Sequence, residues 1–201
     1  MGERFEQDLT FSGMHRVRQI TSVHCGPAVV KMLLSFVGIR VMQKEVVAAA
    51  GITNEKLENY GMIYQEMIRA IKNLAPECIF WYKNDSSLGE LSQIINLFKY
   101  PVGVEWQGIF LSEDKDEDDG HYGIITKVDT VNNLIGIVDP YYYDGEDRRL
   151  GVVEFERRWW DVNFITDPTT GRRQEIYDRR LMFVVARGGE TFPEELGMSR
   201  G

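Results

Sequence analysis

Residues 19–38 read QITSVHCGPAVVKMLLSFVG, and the stretch that follows the cysteine carries the clearest helical pattern in the chain. Between Gly26 and Val37 the apolar residues Val29, Val30, Leu33, Leu34 and Val37 recur at helical spacing, Pro27 sits where a first turn tolerates proline, and Gly38 ends the run. Cys25 therefore stands at a helix N-terminus. A thiol there meets unpaired N–H groups and the positive end of the helix dipole, which favour the nucleophilic thiolate. The same placement suits a small buried hydrophobe. By itself the cysteine is only a candidate.

The frame around it is that of an ordinary globular protein. The chain has 201 residues, 43% of them hydrophobic and 27% charged, which predicts one domain over 1–201 with an N-terminal arm (1–18) and a flexible tail (188–201). Apolar runs fall short of the ~20 residues a bilayer needs. MGERFEQDLTFSG lacks the apolar stretch of a secretory signal, so a cytoplasmic protein with no membrane partner is expected. A net charge of −8 argues against a nucleic-acid partner. Two cysteines are too few for a disulfide framework.

Further helices are expected over Gln43–Ala50, Ile63–Leu74 and Leu88–Phe98. Strands follow over Val102–Trp106, Tyr122–Val128, Leu134–Val138, Val152–Phe155 and Leu181–Ala186, with Tyr177–Arg187 readable as one longer strand. A short aromatic helix over roughly Phe155–Val162 interrupts them. Helices first and an antiparallel sheet afterwards is the α+β pattern.

A cysteine nucleophile needs a base. His121 opens the strand HYGIITKVD, and a polar residue at the end of an apolar strand points to a sheet edge or cleft. His24 adjoins Cys25, but successive side chains diverge at a helix entry. If Tyr122–Val128 and Leu134–Val138 pair about the turn at Asp129–Asn133, Asp139 falls opposite His121 or one step away. A carboxylate there can accept the imidazole N–H and fix its tautomer. Gln19, six residues before Cys25, offers an amide donor to an oxyanion beside the Cys25 N–H.

Together the runs RQITSVHCGPAVVKMLLSFVG, GHYGIITKVD and GIVDPYYYDG, followed by EFERRWW, resemble the papain-like cysteine peptidases, in particular the bacteriocin-processing, double-glycine peptidase-like family. The resemblance spans roughly Gln19–Trp160. It implies a papain-like fold, with the helical part carrying the nucleophile packed on a C-terminal antiparallel sheet. It further implies Cys25 as nucleophile, His121 as general base and acid, Asp139 as orienter and Gln19 as oxyanion donor. The implied activity is hydrolysis of a peptide or related amide bond in a peptide or protein substrate, without a cofactor. Acyl or peptidyl transfer on the same fold, or a catalytically silent peptide-binding domain, remain the alternatives.

Other features carry less. SEDKDEDDG (112–120) fails the EF-hand template, since its sixth position from Asp114 is Asp119 and its twelfth is Ile125. It reads as a solvated loop. The paired arginines (148/149, 157/158, 172/173, 179/180) are interleaved with acids and read as surface ion pairs. Tyr141, Tyr142, Tyr143, Trp159 and Trp160 either wall a substrate groove or fill the core under the sheet. No Cys/His spacing matches zinc, and Cys78 in ECIFWY reads as a buried strand residue. Gly188-Gly189 is similar to a double-glycine cleavage site, yet LMFVVAR before it reads as a core strand.

Overall fold

A computed structural model describes residues 11–108, 120–141, 147–166 and 171–201. Its first half is helical: α1 (Cys25–Phe36), α2 (Gln43–Ala50), α3 (Asn54–Tyr60) and α4 (Tyr64–Leu74). The helix over Asn54–Tyr60 has no counterpart in the sequence reading. It is seven residues long and buries only Leu57, so it carries no apolar period; its signal is Thr53, whose side chain accepts from the Lys56 N–H as an N-cap.

β1 (Cys78–Lys83) confirms Cys78 as a buried strand residue. After it come α5 (Leu88–Ser92), a π-helical continuation over Gln93–Phe98, β2 (Val102–Gln107), β3 (Gly120–Asp129) and β4 (Leu134–Val138). The chain continues as β5 (Asp147–Leu150), α6 (Val152–Arg158), β6 (Trp160–Thr166), β7 (Arg173–Arg179), β8 (Met182–Arg187), α7 (Phe192–Glu195) and β9 (Ser199–Arg200). Seven strands form one antiparallel sheet in the order β5-β4-β3-β2-β8-β1-β9, and β6 and β7 pair as a separate ribbon. The α+β architecture is as expected.

Two apolar layers flank the sheet. Val29, Val30, Leu33 and Leu34 of α1 pack with Met67 and Ile71 of α4 on Phe80, Tyr122, Ile124 and Phe183. Trp106, Ile125, Ile135 and Ile137 lie in the other layer with Phe155, Trp159 and Phe192. Leu33 and Leu34 are essentially unexposed, so truncating either to alanine costs about 2–5 kcal/mol.

Four local expectations are corrected. Val152–Phe155 is helix, not strand: the two β-branched residues suggested a strand, but Asn133 Oδ1 accepts the Val152 N–H at 2.9 Å and Arg158 reaches Glu154 one turn back at 2.6 Å. The aromatic helix accordingly ends at Arg158, and Trp160 already belongs to β6. Tyr177–Arg187 is two strands, because Arg180 takes the left-handed conformation at φ 50° and sends β7 and β8 into different sheets. The tail after Gly188 is packed, with Phe192 stacked on Phe98 at 4.6 Å, Met198 buried and β9 paired with β1.

Candidate active site

The loop before α1 is held from both halves of the molecule. Gln19 N–H donates to Pro140 O at 2.8 Å, Ile20 N–H to Gln43 Oε1 at 3.2 Å, and Gln43 Nε2 to Arg18 O at 2.6 Å. The His24 ring meets the Thr21 hydroxyl at 2.6 Å through Nδ1. This seats Cys25 at the first turn of α1, where the thiol is half-buried and free of any disulfide. Burial pushes the Cys25 thiol up, but the His121 ring and the N–H groups of Tyr122 and Gly26 outweigh it and bring the thiol below its ordinary value of 9.0.

His121 stands in β3 and Asp139 directly after β4, and both are almost fully buried. Their side chains meet at 2.7 Å, His121 Nε2 to Asp139 Oδ1. With Nε2 on the carboxylate, the ring's other nitrogen is left for Cys25. Burial works against the charged ring, yet Asp139 and the Cys25 thiolate overcome it and raise His121 to about 10. Burial also opposes ionisation of Asp139, which His121, the Tyr141 N–H and Arg148 nevertheless hold below the usual carboxylate range. These shifts favour the thiolate on Cys25, the imidazolium on His121 and the carboxylate on Asp139.

The profile of the Peptidase_C39 like family matches residues 11–166. The chain belongs to that family. No curated protein matches it. Among solved structures, this C39-like chain is similar to the peptidase domain of Streptococcus ComA, a bi-functional ABC transporter involved in quorum sensing, with a TM-score of 0.54 and 18% identity over 86% of this chain and 99% of that one. It is equally similar in fold to a double-glycine-motif protease of an AMS/PCAT transporter, solved in complex with the leader peptide, with a TM-score of 0.54 and 15% identity over 88% of this chain and 94% of that one. The papain-like fold and a cysteine-peptidase-like character follow from the family.

The remaining residues of the C39-like site behave differently from one another. Gln19 is buried beside the loop before α1, with Nε2 at 2.8 Å from Thr21 O and 2.9 Å from Ser22 O, while Oε1 has no hydrogen-bond partner. Its amide nitrogen thus faces main-chain carbonyls. Tyr141 lies edge-on to His121, ring centroids 6.4 Å apart, and its N–H donates to Asp139 Oδ1 at 2.8 Å. Trp160 is half-exposed on the β6–β7 ribbon, stacked on Tyr177 at 5.8 Å.

Trp159 is no groove residue. Only 1% of it is exposed, it packs on Phe155 at 5.0 Å, and its indole N–H donates to Leu181 O at 2.8 Å. Tyr142, Tyr143 and most of the acidic run before His121 lie outside the described residues. Among the described residues no cluster of His, Cys, Asp and Glu could hold a metal, and no helix is long and apolar enough to cross a membrane.

Two residues beside His121 and Asp139 escaped the sequence reading. Trp106 pairs with His121 across β2–β3, ring centroids 6.4 Å apart, and Arg148 Nε reaches Asp139 Oδ2 at 3.2 Å. Trp106 reads as an ordinary apolar strand residue. The local mixture of Arg and Asp around Arg148 hides its long-range partner.

Proposed function

We propose that this chain hydrolyses a peptide bond through a thioester on Cys25. The thiolate attacks the carbonyl carbon, and the tetrahedral oxyanion is met by the Cys25 N–H and by the Gln19 amide, which must turn from the Thr21 and Ser22 carbonyls to reach it. The His121 imidazolium protonates the departing amine. Neutral His121 then takes a proton from water, whose oxygen attacks the thioester; the C–S bond breaks, the acid is released and the thiolate–imidazolium pair is restored. Asp139 keeps the ring in the tautomer and orientation both steps need. The observation that carries this reading is the placement of His121 between Asp139 and Cys25. A peptide as substrate class is supported by the leader peptide bound to the AMS/PCAT protease neighbour.

One observation favours a second reading. Gln19 Nε2 faces the carbonyls of Thr21 and Ser22, as it would in a domain that binds peptides without cleaving them. Iodoacetamide labelling against pH separates the two when combined with a peptide-cleavage screen. Fast Cys25 labelling at pH 6 that disappears in His121→Ala, together with cleavage that Cys25→Ala abolishes, supports the hydrolase. Slow labelling with an unperturbed profile in both proteins, and no cleavage, leaves the peptide binder. Product released with an added amine in place of water would reassign the same chemistry to transfer.

A further inference from the structure

Asp139 has no exposed surface, and both its oxygens are engaged: Oδ1 with His121 Nε2 and the Tyr141 N–H, Oδ2 with Arg148 Nε. On β5 Arg148 pairs with Ile137, two residues before Asp139, so Arg148 and Asp139 sit diagonally on one face. The row His121, Asp139, Arg148 therefore crosses three adjacent strands. Behind it Arg16 of the N-terminal arm donates from Nη2 to Asp139 O at 3.3 Å and pairs through Nη1 with Asp147 at 3.2 Å.

We propose that Arg148 is a positioning residue of the active site: its guanidinium pins Oδ2 of Asp139 so that Oδ1 faces the imidazole, and its charge limits how strongly the carboxylate binds the proton on His121. This inference rests on the cysteine-peptidase reading and extends it. The terminal torsion of an aspartate is broad, so a carboxylate held through one oxygen can swing. A second, charge-assisted partner on the other oxygen removes that freedom.

The charged and titratable groups around the row are Cys25 and His24 at the start of α1, His121 on β3, Asp139 after β4, Asp147 and Arg148 on β5, Arg16 on the arm, and Tyr141. Taking one positive charge out of this set raises the proton affinity of both Cys25 and His121.

The test uses the full chain with Arg148→Met and Arg148→Lys, following iodoacetamide labelling of Cys25 by peptide mass mapping between pH 4.5 and 10, which separates it from Cys78. In R148M the acid limb of the labelling profile moves up by about one pH unit, so labelling on that limb slows about tenfold. R148K, which keeps the charge, stays within about 0.3 unit of wild type. Peptide cleavage by R148M loses kcat while KM holds. If R148M does not fold, Arg148→Gln serves in its place, with the same shift expected. An R148M or R148Q profile that superimposes on wild type, with only the melting temperature lowered, would reduce Arg148 to a strand-holding residue. A wild-type Cys25 that labels as an ordinary thiol removes the peptidase reading itself, and this inference with it. The first failure requires a depressed wild-type thiol and the second its absence, so they are distinguishable.

Discussion

His121 and Asp139 face each other because Thr126 is an extra residue in β3. From the turn, β3 and β4 pair as Asp129↔Leu134, Val128↔Ile135 and Lys127↔Gly136; beyond Thr126 the pairs become Ile125↔Ile137 and Ile124↔Val138. Continued without the bulge, the first register would set Asp139 against Ile124, on the opposite face from His121. With it, Asp139 falls one step past Val138, beside Gly123, and so on the face of His121. The carboxylate reaches the ring diagonally.

Gly123 leaves no room for a side chain in this arrangement. A Cβ there would lie 2.8 Å from Ile137 Cγ2 and 3.3 Å from Trp106 Nε1, with β4 on one side and the tryptophan beside His121 on the other. Gly123→Ala should destabilise the protein by about 1–3 kcal/mol through overpacking. It should also slow Cys25 labelling at pH 6, because the hairpin must shift where Asp139 meets His121. Urea unfolding and iodoacetamide kinetics on the same sample check both; unchanged labelling would show that the hairpin absorbs the methyl elsewhere.

Much of this was legible in advance and some was not, for physical reasons. Cys25 could be placed because helix α1 has a strong apolar period, a proline in its first turn and a glycine after it. The nearness of His121 to Asp139 was legible from the hairpin, but the diagonal geometry was not, since nothing in GIITKVD announces a bulge. Trp159 and Trp160 are adjacent and chemically identical, so sequence could not say that one is core and the other surface; the change from α6 to β6 between them decides it. Arg148 was hidden among ion-pairing neighbours, because its partner is set by cross-strand register.

The ion pair makes a definite statement about pH. His121 is raised from 6.5 to about 10, so its contribution to stability is complete below 6.5 and lost as pH rises through 10. Cys25 is lowered from 9.0, so its contribution is complete above 9.0 and lost as pH falls through its folded value. Above the folded value of Cys25 and below 9.0 the two slopes oppose each other, so the rise from Cys25 offsets the fall from His121. Cys25→Ser removes one slope only: its stability should fall as pH rises above 6.5, at up to about 1.4 kcal/mol per pH unit, until the ring loses its proton. Urea titrations of both proteins at pH 6.5, 7.5 and 8.5 test this, and parallel curves would mean that Cys25 and His121 do not share charge.

Gln19 separates binding of a thiol reagent from stabilisation of an oxyanion. Alkylation passes through no tetrahedral oxyanion, so Gln19→Ala should leave Cys25 labelling within about twofold of wild type. Peptide cleavage should lose on the order of 10²–10³ in kcat, equivalent to about 2.7–4 kcal/mol. An equal loss in labelling would mean that Gln19 serves the loop 21–24, whose carbonyls it bonds, and not the oxyanion.

The adjacent tryptophans should respond in opposite ways. Trp159→Ala removes a buried ring and its hydrogen bond to Leu181 O, and should cost about 3–5 kcal/mol. Trp160→Ala takes away a half-exposed ring stacked on Tyr177, whose loss costs no more than about 0.5–1.5 kcal/mol from the stacking. If Trp160 walls the substrate groove, its loss raises KM for peptide cleavage with stability nearly intact. An unchanged KM confines its role to the ribbon.

The packed tail yields the last expectation. Phe192 stacks on Phe98 at 4.6 Å and lies 4.9 Å from Tyr100, filling the layer behind the π-helical segment, while Met198 is buried and Ser199 and Arg200 extend the sheet beside β1. A flexible tail can be removed without penalty; this one covers apolar surface that truncation would expose. Phe192→Ala should cost about 3–5 kcal/mol and a chain ending at Gly189 at least as much. The Cys25 thiol lies in the other layer, against α1 and α4, so its labelling profile at 25 °C should survive either change while the protein remains folded. A truncated chain as stable as the full one would mean that the tail rests on the sheet without contributing to its core.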